Sequence, residues 1–227
     1  MSGRASHAEP PEYGRVALEG ALGTINHARA MAGGRPERVE GLLRGLEEVL
    51  ATSPGRADRD RDGGRALAEL DRLLADAGGQ AGTEAIREFL EPIVDRLIDA
   101  LLGRPDERLV SYGSLRPGEA NHHLVADLVG RWHDGEVHGR YFASGGAATR
   151  GFPGVVWEPE AEGVPVMVFE SPALRTHWPH LDDFEGPGYR RLLVTVTGPH
   201  GLEVSNMYGL VDPPSEVSAR PTEDAAR

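Results

Sequence analysis

The 227-residue chain contains no cysteine and no lysine. Without cysteine there is no disulfide framework, no thiol nucleophile and no thiolate metal site. All 24 basic residues are arginines, which reads as a bias of composition and not as a mechanism. Positive charge is scarce as well: 36 acidic residues leave a net charge of −12. A nucleic-acid partner would call for a basic face, so none is expected. Long apolar runs are also missing. None approaches the roughly 18 residues that cross a bilayer, and the opening "MSGRASHAEPPEYG" lacks the apolar core of a signal peptide. The expectation is a soluble cytoplasmic protein with no membrane partner. Familiar catalytic signatures are absent too. No G-x-S-x-G elbow surrounds Ser114, which has Tyr112 where the first glycine belongs. Neither a P-loop nor a G-x-G-x-x-G follows any strand-like run.

What is present supports a packed core, with 39% hydrophobic and 26% charged residues. The two halves carry different periods. Residues 1–105 read as an all-α N-terminal unit. Its clearest helix is "TEAIREFLEPIVDRLIDALLG". There Ile86, Phe89, Leu90, Ile93, Val94, Leu97, Ile98, Leu101 and Leu102 recur at three- and four-residue spacing. Thr83 is its expected N-cap, Gly103 with Pro105 its stop, and Pro92 a kink or the true first turn. Further helices are expected over 16–32, with a stripe blurred by Gly20 and Gly23, over 36–51, and over 65–77. From Arg108 the pattern becomes short strands separated by Gly- and Pro-bearing turns: "RLVSYG", "EVHGRYF", "PGVVWE", "VPVMVFE", "RRLLVTVT" and "LEVSNMYGLV". Helical pieces are expected over 120–129 and 173–184. The predicted class is α+β: a small mixed β-barrel of about six strands with flanking helices, preceded by the helical unit. The second domain spans 106–212, and 213–227 reads as a polar, disordered tail.

Two metal patterns fail on context. "DRDRDGGRALAE" places Asp58, Asp60, Asp62, Gly63 and Glu69 as in a calcium loop. Yet "TSPG" breaks the incoming helix, Arg65 occupies the usual aliphatic position, and Arg59 and Arg61 add positive charge. His122–His123 and the His177/His180 pair lack a cysteine or a matched acidic ligand. No metal is assigned.

Two stretches can carry chemistry. At "SYGSL", Gly113 lets a ligand approach the backbone N–H groups of a strand-end turn, and Ser114 adds a hydroxyl. The alternative is an ordinary turn. In "HLDDFEGPGYRR", Glu185 ends a helix before a tight turn. Phe184 and Tyr189 can desolvate it and raise its pKa; otherwise it is a solvated charge.

Together, "LVSYGSLRPGEANHH" and "LDDFEGPGYRR", with "GFPGVVWE" between them, resemble the γ-glutamyl cyclotransferase superfamily over residues 108–212. No family resemblance is read in the helical half. The resemblance implies a small β-barrel with flanking helices. It also implies cleavage of a γ-glutamyl amide by cyclisation, giving 5-oxoproline and a free amine or amino acid. Tyr112, Gly113, Ser114, Leu115 and Tyr189 would bind the substrate, and Glu185 would be the catalytic carboxylate. Asp182 and Asp183 would be structural. No cofactor is implied, and the partner is a small γ-glutamyl compound. The helical extension is expected to dock or dimerise rather than catalyse. The competing function is a non-catalytic binding module of the same fold, from which loss of the carboxylate would be expected.

Overall fold

The computed structural model of the protein describes residues 14–51, 64, 65, 67, 68, 72, 86–144 and 151–213. Before Arg108 these residues form helices and turns, with no strand among them. Helix α1 spans Arg15–Arg29 and buries Leu18, Ala21, Leu22, Ile25 and Ala28. Gly20 and Gly23 lie off that stripe, which is why it looked blurred. Helix α2 spans Pro36–Ala51, with Pro36 in the first turn, where its missing N–H costs nothing. The two helices meet through Gly41 and Gly45. A Cβ at Gly45 would stand 2.4 Å from Ile25 Cγ1 and one at Gly41 2.8 Å from Ala28 Cβ, so these glycines set the closeness of the pair.

Of the two readings of Pro92, the structure shows the true first turn of a helix. Ile86–Leu90 form a π-helical turn, and helix α3, Glu91–Leu101, starts after it with Pro92 in its first turn. Proline cannot donate a helical hydrogen bond, so the change of winding falls where that donor is missing. The buried arc is narrower than the apolar stripe: Phe89 is 63% exposed and Ile93 36%. Thr83 and the calcium-like segment Asp58–Glu69 lie outside the described residues, apart from its positions 64, 65, 67 and 68. Most of the expected 65–77 helix and residues 214–227 lie outside them too. No helix among the described residues is long and apolar enough to cross a membrane.

After Gly103 and Arg104, both at positive φ, the chain enters the barrel. Its strands are β1 Arg108–Ser111, β2 Arg131–Phe142, β3 Gly154–Trp157, β4 Gly163–Glu170, β5 Tyr189–Gly198 and β6 Gly201–Leu210. The order is β3-β2-β4-β1-β6-β5, and a β2–β5 pairing closes five strands into a barrel with β3 as the extra strand. Helix α4, Leu174–Glu185, packs Leu174, Trp178 and Leu181 against Leu109, Phe169 and Tyr208 on the outside of the barrel. The expected 120–129 helix does not form; a single 3-10 turn, His122–Leu124, sits in a run of turns. Asn121 bonds back to Ser114 through both its backbone N–H (2.9 Å) and its side chain (2.8 Å), which diverts the segment from a helical ladder.

The barrel closes on β5 through one residue pair, Glu136 with Thr197. Helix α1 covers the rest of that edge. Asn26 accepts from the Leu193 N–H and donates to the Leu193 carbonyl, both at 2.8 Å, so its amide stands in for a neighbouring strand. Thr195 donates to the buried Glu19 carboxylate at 2.7 Å. Leu193 and Val204 join the core of the helices, so helices and barrel share packing. Asn26→Ala leaves two buried backbone groups without partners. It should lower stability by about 2–6 kcal/mol, given about 1–3 kcal/mol per orphaned group. The check is urea unfolding, with a lower midpoint and an unchanged slope; a loss below about 0.5 kcal/mol would mean that water serves this edge.

Candidate active site

Where β1 leaves the barrel, its chain turns through Tyr112–Leu115. Beside it, α4 ends and β5 begins. Helix α4 stops because Gly186 takes φ +65°, a conformation that favours glycine, and Pro187 follows. The turn Gly186–Gly188 then leads straight into Tyr189. Between these two chain segments lies a cavity of about 390 Å³. Tyr112, Gly113, Ser114, Leu115, Glu185 and Tyr189, far apart in sequence, all line it. Phe152, Pro153, Asn121, Asp183 and Tyr208 line it as well.

Glu185 is half-buried, and among the described residues nothing hydrogen-bonds to its carboxylate or pairs with it. Burial pushes its pKa from 4.5 up to about 7. Its place at a helix C-terminus, where carbonyls present partial negative charge, acts in the same direction. A carboxyl that is half ionised near neutral pH both takes and returns a proton readily.

The opposite wall supplies donors. Among the described residues, no acceptor is bonded to the N–H groups of Gly113, Ser114 or Leu115. Three consecutive N–H groups without an acceptor among the described residues can hold an anion. The carbonyls of the same turn are engaged: Gly113 accepts from the Arg116 N–H at 3.2 Å, and Ser114 from the Asn121 N–H. Asn121 Nδ2 donates to Ser114 Oγ, which leaves the serine's own proton for a ligand. Gly113 has little spare room, since a Cβ there would meet Pro153 Cγ at 3.3 Å.

The two tyrosines are less available. The Tyr189 hydroxyl donates to the Pro153 carbonyl at 2.7 Å, fastening the segment that leads into β3. The Tyr112 hydroxyl donates to the Tyr208 carbonyl at 2.5 Å. Burial, then the nearby Tyr189 and Glu185, pushes its pKa well up, so it stays protonated. Both shape the cavity through their rings. Asp182 accepts from the Tyr208 hydroxyl at 2.6 Å and pairs with Arg191 at 3.2 Å, whereas Asp183 is exposed at the rim. The histidines bond to backbone: His177 Nε2 lies 2.8 Å from the Leu124 carbonyl and His122 Nδ1 3.1 Å from that of Leu115. Among the described residues no cluster of His, Asp and Glu is placed to hold a metal ion.

The sequence reading missed Tyr208. It sits in a buried β6 run with nothing local to mark it, and its partners lie 96 and 26 residues away.

A family model described as gamma-glutamyl cyclotransferase, AIG2-like, matches residues 109–223, half of the chain. The chain belongs to this family. Similar solved structures include YkqA from Bacillus subtilis, 30% identical, covering 47% of this chain and 36% of that one, with a TM-score of 0.38. The chain thus spans about a third of the length of YkqA. An AIG2-like protein from Mus musculus is 19% identical, over 52% of this chain and 86% of that one, at a TM-score of 0.42. A glutathione-specific γ-glutamyl cyclotransferase from yeast is 13% identical, over 52% and 75%, at a TM-score of 0.30. No curated protein matches the chain.

The raised pKa makes stability depend on pH with a definite sign. Well below pH 4.5 Glu185 is protonated whether the chain is folded or not, and it costs nothing. Between there and about 7 the unfolded chain releases the proton first, so folding loses stability; above about 7 the loss is complete. Glu185→Gln carries no such penalty. Its stability relative to wild type should rise by about 2–3 kcal/mol between about pH 4 and about pH 8, read from denaturant unfolding at both. An equal difference at the two pH values would show the carboxylate to be well hydrated.

Proposed function

We propose that the cavity binds the γ-glutamyl end of an amine, amino acid or peptide and converts it to 5-oxoproline with release of the free amine. One observation carries the reading: Glu185, which no described residue pairs and whose pKa burial raises to about 7, shares a cavity with the Gly113–Leu115 turn, whose N–H groups meet no acceptor among the described residues.

The substrate's own α-amine attacks its own γ-carbonyl. A new C–N bond closes a five-membered ring, and the C–N bond to the leaving amine breaks. The nucleophile is internal, so the absence of cysteine is no obstacle. Holding the chain folded supplies up to about 7–11 kcal/mol of the barrier through proximity. Glu185 takes the proton that the α-ammonium must lose and returns it to the departing nitrogen. The molecule carries negative charge at its α-carboxylate and develops more at the γ-oxygen. The donors of the Gly113–Leu115 turn suit such charge.

Three comparisons test this. Wild type, offered a panel of γ-glutamyl compounds, should release 5-oxoproline, followed by mass spectrometry. Glu185→Gln should lower kcat by about 10²- to 10⁴-fold while calorimetry shows little change in substrate affinity. Full activity in Glu185→Gln, or loss confined to Asp183→Asn, would remove Glu185 from the role. Gly113→Val should press on Pro153 and crowd the donor turn, raising KM at least tenfold with a smaller effect on unfolding. An unchanged kcat/KM would reduce the segment to a plain turn.

A further inference from the structure

The two walls of the cavity hang on one residue of β6. Tyr208 accepts the Tyr112 hydroxyl on its backbone carbonyl and gives its own hydroxyl to Asp182. The first bond fixes the donor turn and the second fixes the end of α4. Few side chains of that end are buried. Leu181 is the last buried residue of the helix; Asp182, Asp183 and Phe184 are exposed and Glu185 is half-buried. Asp182 lies three residues before Glu185, within the same helical turn. Its second oxygen takes Arg191, whose guanidinium lies 4.6 Å from the ring centroid of Trp178, one turn back on α4.

Resting on the cyclotransferase reading, we infer that Tyr208 and Asp182 are a positioning pair that sets the gap between Glu185 and the Gly113–Leu115 donors. Tyr208 lines the cavity, but its hydroxyl is turned to Asp182 and not to a substrate. Burial, then the Asp182 carboxylate, raises its pKa far above the usual range, so it remains a donor at every working pH. Among the described residues, the ionisable groups that line the cavity with Glu185 are Asp183 on its own helix, Tyr189 on β5, Tyr208 on β6 and Tyr112 on the turn, with the Asp182–Arg191 pair behind them. Freeing the end of α4 moves Glu185 toward water and away from the donors. Proximity catalysis is steep in distance, and about 1 Å of misplacement costs about 10²-fold.

Tyr208→Phe is the decisive variant because it keeps the ring and the carbonyl and removes only the hydroxyl. In the 5-oxoproline assay kcat should fall about 10- to 100-fold with KM within about threefold. Asp182→Ala should show the same loss, and the double variant should lose no more than either single one. A second readout does not depend on turnover: carboxyl titration of Glu185 by NMR. Its midpoint, near 7 in the wild type, should drop by at least about one pH unit in Tyr208→Phe as water reaches the carboxylate. An unchanged titration together with an unchanged kcat overturns the pair. Additive losses in the double variant overturn it as well. If the wild type releases no 5-oxoproline but the Glu185 midpoint drops in Tyr208→Phe, the positioning stands and the cyclotransferase chemistry falls.

Discussion

A carboxylate kept partly from water, with no partner among the described residues, is the costly element of this molecule, and the architecture around it answers that cost. Left free, Glu185 would hydrate or pair, and its pKa would return to the ordinary range. Rigid walls prevent this. The arginine of the adjoining strand, Arg191, is engaged by Asp182 and by the Trp178 ring. Tyr112 and Tyr189, both near Glu185, have hydroxyls committed to backbone carbonyls. Among the described residues, the groups near Glu185 are engaged elsewhere, Arg191 by a carboxylate and a ring and the two tyrosines by backbone carbonyls, and that engagement holds the walls in place.

The helical half takes part in the same economy of edges. A five-stranded barrel that closes through a single pair leaves backbone groups exposed on β5. Unpaired strand edges invite association with other chains. Asn26, Glu19 and the apolar side of α1 cover that edge. The family match starts at residue 109, yet the helices before it share a core with the barrel.

Periodicity made much of this legible. The stripe over 36–51 gave helix α2 with the same bounds, and all six strand-like runs became strands. It failed where a pattern needs a partner to decide it. Phe89 and Ile93 fit the helical spacing of their segment but lie outside the buried arc. Residues 120–129 have helical composition, yet Asn121 finds its hydrogen bonds in Ser114. The site divides in the same way. Glu185 and the Tyr112–Leu115 turn stood out because each lies in a compact stretch with its own glycines. Tyr208 carried no local mark, because its importance comes from two residues far from it in the chain. Asn26 was invisible for the same reason: its partner is 167 residues away.

The parallel pairing of β1 with β6 has a consequence for how the chain reaches this state. Leu109 aligns with Asn206 and Val110 with Met207, so the central strand of the barrel waits for the last one. The buried face of α1 waits longer still, since its strand partner Leu193 belongs to the final hairpin. Contacts of such separation make folding slow and leave apolar surface uncovered meanwhile. During synthesis the helices emerge first and remain unfinished until the β5–β6 hairpin arrives. The interval in which this protein is most exposed to aggregation is therefore set by the length of chain between Asn26 and Leu193.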